Sequence, residues 1–259
     1  MSTPNPYAAP KAPVADAGAD VPGNFLPRGR TVEPGRGWSW IAEGWELFKR
    51  QPGMWIALIV VALVIFIVLA FIPILGSLAA MALAPVFAGG IVIGCRDQTQ
   101  GRELQIPHLF AGFREHFGPL VTVGLIYLGL TVAIALVVGL VTGAGMWTLL
   151  GGGANPASVV GAGLTVLLAF LVMLALMLPV FMAMWFAPPL VVFHEQGAVE
   201  AMKNSFFACL KNIVPFLIYS VILFVAAIVA SIPFGLGWLV LGPVLAGSLY
   251  TGYRDIFFE

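Results

Sequence analysis

The run MWIALIVVALVIFIVLAFIPILGSLAAMALAPVFAGGIVIG, residues 54–94, contains no Asp, Glu, Lys or Arg. A helix crosses a bilayer with roughly 20 apolar residues, so this run is long enough for two crossings. Pro73 divides it near the middle, where a proline both removes a backbone donor and disfavours a continuing helix. Two more uncharged runs, 117–193 and 212–253, have the same capacity. Across 259 residues the chain is 60% apolar and only 9% charged, whereas an ordinary soluble domain is about a quarter charged. Such a chain cannot cover itself with a solvated surface. The sequence predicts an all-α polytopic membrane protein.

Working outward from the first run, helix-breaking punctuation places spans near 54–72, 74–95, 119–141, 164–187, 213–232 and 236–253. The connections after the first, third and fifth spans carry no charge, and the second of these is expected as a flexible glycine-rich loop over 142–163. All 24 charges lie before the first span, in 96–116, in 194–211 and at the C-terminus. Lys and Arg on one side of every hairpin is the positive-inside pattern. It predicts an even number of spans with both termini cytoplasmic. Twelve basic residues balance twelve acidic ones, leaving no cationic surplus for phosphate backbones, so nucleic acid is not an expected partner.

Residues 1–37 read differently. Seven of the 19 prolines fall there among Ala, Gly and scattered charge, a composition that buries too little apolar area to offset its ordering entropy. A disordered cytoplasmic tail is expected, followed by a membrane domain over 38–259.

Inside that domain the sequence repeats. Residues 85–97 read PVFAGGIVIGCRD and residues 243–255 read PVLAGSLYTGYRD. Pro179-Val180-Phe181 is a weaker third copy. A short amphipathic segment precedes each hairpin: Trp38, Ile41, Trp45 and Phe48 in the first, Leu109, Phe110, Phe113 and Phe117 in the second, Val199, Met202, Phe206 and Cys209 in the third. Apolar residues at helical spacing with charges opposite suit the headgroup plane. Six transmembrane helices are therefore expected as three parallel helical-hairpin repeats, about 38–97, 107–193 and 198–255, each preceded by an interfacial amphipathic helix. An axis along the membrane normal would relate them.

Pro85, Pro179 and Pro243 each lie nine residues before a helix terminator, which puts them near mid-bilayer. Each frees a carbonyl and kinks its helix. The kinked helices either line a central cavity or simply pack closely, and the small-xxx-small pairs beside them suit packing. Arg96-Asp97 and Arg254-Asp255 occupy matching span ends. They are candidate interface anchors together with Trp38 and Trp45, although the two pairs could also clasp one another or meet lipid phosphate. Cys95 and Cys209 match no metal spacing and are expected as reduced packing residues. His108, His116 and His194 form no metal motif, and no nucleophile–base pattern is present. No catalytic residue, cofactor or metal is assigned. The absence of ionisable residues within the spans disfavours proton coupling.

Three pieces, GWSWIAEGWELFKRQPGMW (37–55), APVFAGGIVIGCRDQ (84–98) and LFAGFREHFGPL (109–120), resemble an uncharacterised six-span inner-membrane family of proteobacteria. The likeness covers roughly 36–255. More remotely, Gly44-Trp45-x-x-Phe48 and the mid-span proline look like the membrane domain attached to some bacterial glycerophosphodiester phosphodiesterases, whose catalytic elements are absent here. The resemblance implies location and topology. A non-catalytic membrane scaffold or accessory protein is expected, with permeation of lipid or small apolar solute as the alternative. Membrane lipids and a second copy or another membrane protein are the expected partners.

Overall fold

The computed structural model of the chain describes residues 23–152 and 156–259. Helix α1 (Arg36–Arg50) leads to α2 (Pro52–Ala70) and α3 (Leu75–Thr99); a 3-10 turn (Ile106–Phe110) and α4 (Ala111–Glu115) follow. Then come α5 (Phe117–Gly152), α6 (Pro156–Trp185), α7 (Ala187–His194), α8 (Ala198–Lys211), α9 (Ile213–Ser231) and α10 (Trp238–Phe257). Among the described residues the β structure is one isolated bridge, Phe25–Phe258. The architecture is all-α.

Five segments are long and apolar enough to cross a membrane: Pro52–Ala70, Leu75–Thr99, Phe117–Gly143, Val159–His194 and Ile213–Ser231. Helix α2 is apolar on every face, and its Leu63, Val64, Ile67 and Val68 stay exposed. That is the surface of a helix immersed in hydrocarbon. The sixth expected span, 236–253, falls on α10 but is not among the five. Its sequence mixes Gly, Ser, Thr and Tyr with the apolar residues, because protein surrounds it: Leu241, Val244, Gly247, Ser248, Tyr250, Thr251, Tyr253, Ile256 and Phe257 are all buried. A helix sheathed by other helices needs no lipophilic exterior.

The expected loop over 142–163 is mostly helix, since α5 continues to Gly152 and α6 begins at Pro156; residues 153–155 lie outside the described residues. Glycine lowers helix propensity by about 1 kcal/mol but keeps its backbone donor.

Residues 1–22 also lie outside the described residues, so the expected tail is visible from residue 23 onward. There the disordered reading gives way to a strap. Leu26 and Arg30 donate backbone N–H bonds to the carbonyls of Phe257 and Ile256 at 2.9 and 2.8 Å. Asn212, fully buried at the α8–α9 junction, accepts from the Val32 N–H and donates to the Arg30 carbonyl, both at 2.9 Å. The Phe25 ring stacks on His194 with centroids 3.4 Å apart. Proline-rich composition hides this, because the partners of the strap come from the opposite end of the chain.

Both cysteines are buried free thiols. Burial pushes the Cys209 thiol up to about 12, against the opposing hydrogen bond of Ser205. A thiol so raised carries almost no thiolate near pH 8, and the thiolate is the reactive form. We expect a maleimide reagent at pH 8 to label neither cysteine in the folded protein and both after denaturation. Rapid native labelling, read by intact mass, would contradict the packing described.

Candidate functional site

The short helices do not float beside the long ones; each packs on a long helix that contains one of the three prolines. Helix α1 lies on α10, the 3-10 turn and α4 on α3, and α8 on α6 and α7. The contacts are backbone-close. A Cβ at Gly44 would sit 2.6 Å from both the Val244 carbonyl oxygen and the Ser248 amide nitrogen. A Cβ at Gly112 would strike the Val86 carbonyl. Val86 and Val244 follow Pro85 and Pro243 in the two matching segments. At the third contact Ser205 replaces glycine: its hydroxyl accepts from the Phe186 N–H at 2.9 Å and donates to the Met182 carbonyl at 2.6 Å. It stands where the 186-to-182 helical bond would form, and the helix breaks there into α6 and α7.

Two carboxylates lock these contacts at the helix ends. Asp255 accepts from Arg36 Nε at 2.6 Å, Trp40 Nε1 at 2.8 Å and Arg30 at 3.2 Å, and its side chain is only 10% exposed. Desolvation opposes the charge on Arg36, but the hydrogen bond and charge of Asp255, with Glu43, raise its pKa overall. Asp97 accepts from Arg102 at 2.9 Å and faces His108 Nε2 at 3.1 Å. His108 Nδ1 accepts the Gln105 backbone N–H at 2.9 Å, which leaves the proton on Nε2 for Asp97. A ring N–H from a short helical segment therefore meets the carboxylate at the end of α3 and of α10 alike. Among the described residues no ion pair joins the Arg96-Asp97 motif to the Arg254-Asp255 motif.

The three prolines do not share one environment. Pro85 and Pro243 are buried, and Pro179 is exposed. A groove of about 640 Å³ lies instead between α1, α9 and α10, lined by Trp38, Ile41, Trp45, Val229, Leu241 and Val244 among others. It touches none of the three prolines. Trp38 and Trp45 flank it, and Trp40, on another face of α1, is buried at 1% exposure. Sequence reasoning singled out Trp38 and Trp45 and missed Trp40, Arg36 and His108. Apolar residues occupy more than one face of α1, so periodicity alone did not say which face meets α10. Among the described residues no three His, Cys, Asp or Glu side chains gather as a metal site.

Replacing Asp255 with Ala would leave the buried Trp40 indole without its acceptor and Arg36 and Arg30 with only Glu43 and the residue-255 carbonyl. We expect a loss of about 2–3 kcal/mol, somewhat below that of a fully buried pair because Arg30 and Arg36 keep partial hydration. Asp97→Ala should cost less, having fewer donors. Gly44→Val should cost roughly 1–3 kcal/mol by overpacking, whereas Gly53→Ala enters open space and should be tolerated. Thermal unfolding in detergent measures all four, and equal midpoints for Gly44→Val and Gly53→Ala would contradict the close contact.

Comparison with known proteins now bears on this geometry. Residues 39–251 match a family described as a domain of unknown function, DUF7847. A probable inner membrane protein of Burkholderia thailandensis is 32% identical over 224 residues, covering 83% of this chain and 80% of its own length. No solved structure matches the chain. These matches agree with the expected uncharacterised inner-membrane family, and the remoter likeness to the phosphodiesterase membrane domain gains no support from them. The matched region begins within α1 and ends within α10, taking in the Gly44, Gly112 and Ser205 contacts and stopping short of Asp255; the chain belongs to the DUF7847 family.

Proposed function

We propose that this chain is a non-catalytic scaffold or accessory protein of the bacterial inner membrane. It spans six times as three parallel hairpin units, about 38–97, 107–193 and 198–255, with both termini in the cytoplasm. The cytoplasmic helices and tail present a surface to another membrane protein or a second copy. The observation that carries the reading is the backbone-close seating of each short helix on a proline-bearing long helix. Gly44 on Val244 and Gly112 on Val86, with Ser205 on Met182, make a stiff body around the kinks. Such packing suits holding a partner better than opening a path.

Corresponding contacts support the repeat. A Cβ at Gly76 would strike the Leu69 carbonyl, and one at Gly237 would strike Ala230, seven residues back in both cases. Trp40 on Asp255 and His108 on Asp97 match in the same way. Helix α10 serves as the sixth span through its protein sheath. The named location of the Burkholderia thailandensis relative supports the inner membrane for this chain.

The alternative, movement of a lipid chain or small apolar solute, draws on the α1–α9–α10 groove. Its volume of about 640 Å³ falls within the ordinary range of ligand pockets.

Reporter fusions test the topology: fusions near residues 73, 154 and 234 should report the outer side, and terminal fusions the cytoplasm. A periplasmic C-terminus would break the six-span reading. Extraction in native-lipid particles should bring down a defined protein partner or a homo-oligomer. A monomer without partners that moves lipid in proteoliposomes, and stops when Val229→Trp fills the groove, would replace the scaffold with the permeation reading.

A further inference from the structure

Five arginines gather where α3 and α10 end, and Asp97 and Asp255 there are already engaged. Asp255 is taken by Arg30 and Arg36, and Asp97 by Arg102. Arg96 Nε lies 3.7 Å from Asp97, beyond hydrogen-bonding distance. Arg254 forms no ion pair among the described residues. The Nε atoms of Arg96 and Arg254 are both buried and both lack a hydrogen-bond partner. A buried donor on a charged group without an acceptor is costly. It is also unusual that the same atom is orphaned at both copies of the Arg-Asp motif.

The surroundings of the two arginines are shared. Arg96 stacks over the Phe193 ring at 5.0 Å, an arrangement that covers the guanidinium face and leaves its in-plane N–H groups to other acceptors. Phe193 packs on Tyr250 and Tyr253, with centroids 6.2 and 5.7 Å apart. The Tyr250 hydroxyl lies 3.3 Å from Thr99 Oγ1, one turn beyond Arg96, and Arg254 lies one turn beyond Tyr250. Both arginines are within electrostatic range of the Tyr253 phenol.

We propose that Arg96 and Arg254 form a binding site for one phosphate oxyanion, supplied by the headgroup of an anionic phospholipid. The planar guanidinium forks match phosphate oxygens, and charge-assisted bonds of this kind are the stronger class. Each helix C-terminus opposes an anion with roughly half a negative charge, and two full guanidinium charges outweigh both ends. A net-anionic headgroup is preferred over a zwitterionic one, whose own amine competes for the phosphate. The site does not depend on the scaffold reading, which stands or falls on partners.

The test uses the full chain purified in detergent. Native mass spectrometry titrates phosphatidylglycerol and phosphatidylethanolamine, and thermal unfolding titrates inorganic phosphate. The wild type should bind phosphatidylglycerol in preference to phosphatidylethanolamine. Arg96→Gln/Arg254→Gln should weaken phosphatidylglycerol binding roughly tenfold or more. Arg114→Gln, which removes an exposed charge of α4, should leave it unchanged. Stabilisation of the wild type by millimolar phosphate alone, lost in the double variant and unaffected by phosphatidylglycerol, would support the oxyanion site with free phosphate as its source. Equal phosphatidylglycerol binding by wild type and double variant, without any phosphate response, overturns the proposal. Should the double variant lose its monodisperse peak, the single Arg96→Gln and Arg254→Gln variants decide: weaker binding by either supports the site, and unchanged binding by both rejects it.

Discussion

The contact on which the rest of this structure depends is the seating of α1 on α10, fastened by the carboxylate of Asp255. The chain joins its helices in order, but no peptide bond joins its beginning to its end. Asp255 makes that join, drawing Arg30, Arg36 and Trp40 onto the last turn of α10. The strap from Phe25 to Val32 follows the same surface through backbone bonds to Ile256 and Phe257. Removing a carboxylate so nearly buried leaves cations short of an acceptor, and that cost exceeds what the pair contributes when intact. The clasp therefore specifies where α1 sits as much as it adds stability.

Glycine makes the clasp reachable. Gly44 and Gly247 approach so closely that a side chain at Gly44 would meet backbone atoms of α10. Dispersion and close fit drive helix association where lipid already satisfies apolar surface. Gly112 on α3 serves the same end with less room still. Ser205 solves the third case differently, by bonding directly into the interrupted ladder between Met182 and Phe186. The outcome is a body in which α10, polar by the standard of a lipid-facing helix, is more enclosed than α2 or α9.

Much of the fold was legible because lipid imposes simple demands. Uncharged runs marked α2, α3, α5, α6 and α9, and Pro52 and Pro156 stand at the first turns of their helices as proline should. The repeated Arg-Asp pairs pointed to the two helix ends where the carboxylate locks lie. Other features were hidden for physical reasons. Trp40 shares α1 with Trp38 and Trp45, and nothing local says which indole meets a carboxylate more than 200 residues away. His108 looked ordinary because its partner, Asp97, approaches through a turn and not through a motif. Glycines in 142–152 suggested a loop, yet the backbone stays helical to Gly152. Prolines before residue 37 suggested disorder, yet Asn212 and the C-terminus supply the missing bonds.

What the sequence by itself determined was the solvent and the local pattern: apolar helices for hydrocarbon, prolines inside α3, α6 and α10, and no charge within the apolar runs. These follow from composition and short-range sterics, which need no knowledge of distant residues. Only the tertiary structure decided which helix faces meet, that Pro179 is exposed while Pro85 and Pro243 are enclosed, and that the buried Nε atoms of Arg96 and Arg254 lack a hydrogen-bond acceptor. Those outcomes depend on which partner reaches each carboxylate first, and that competition is settled by contacts between residues far apart in the chain.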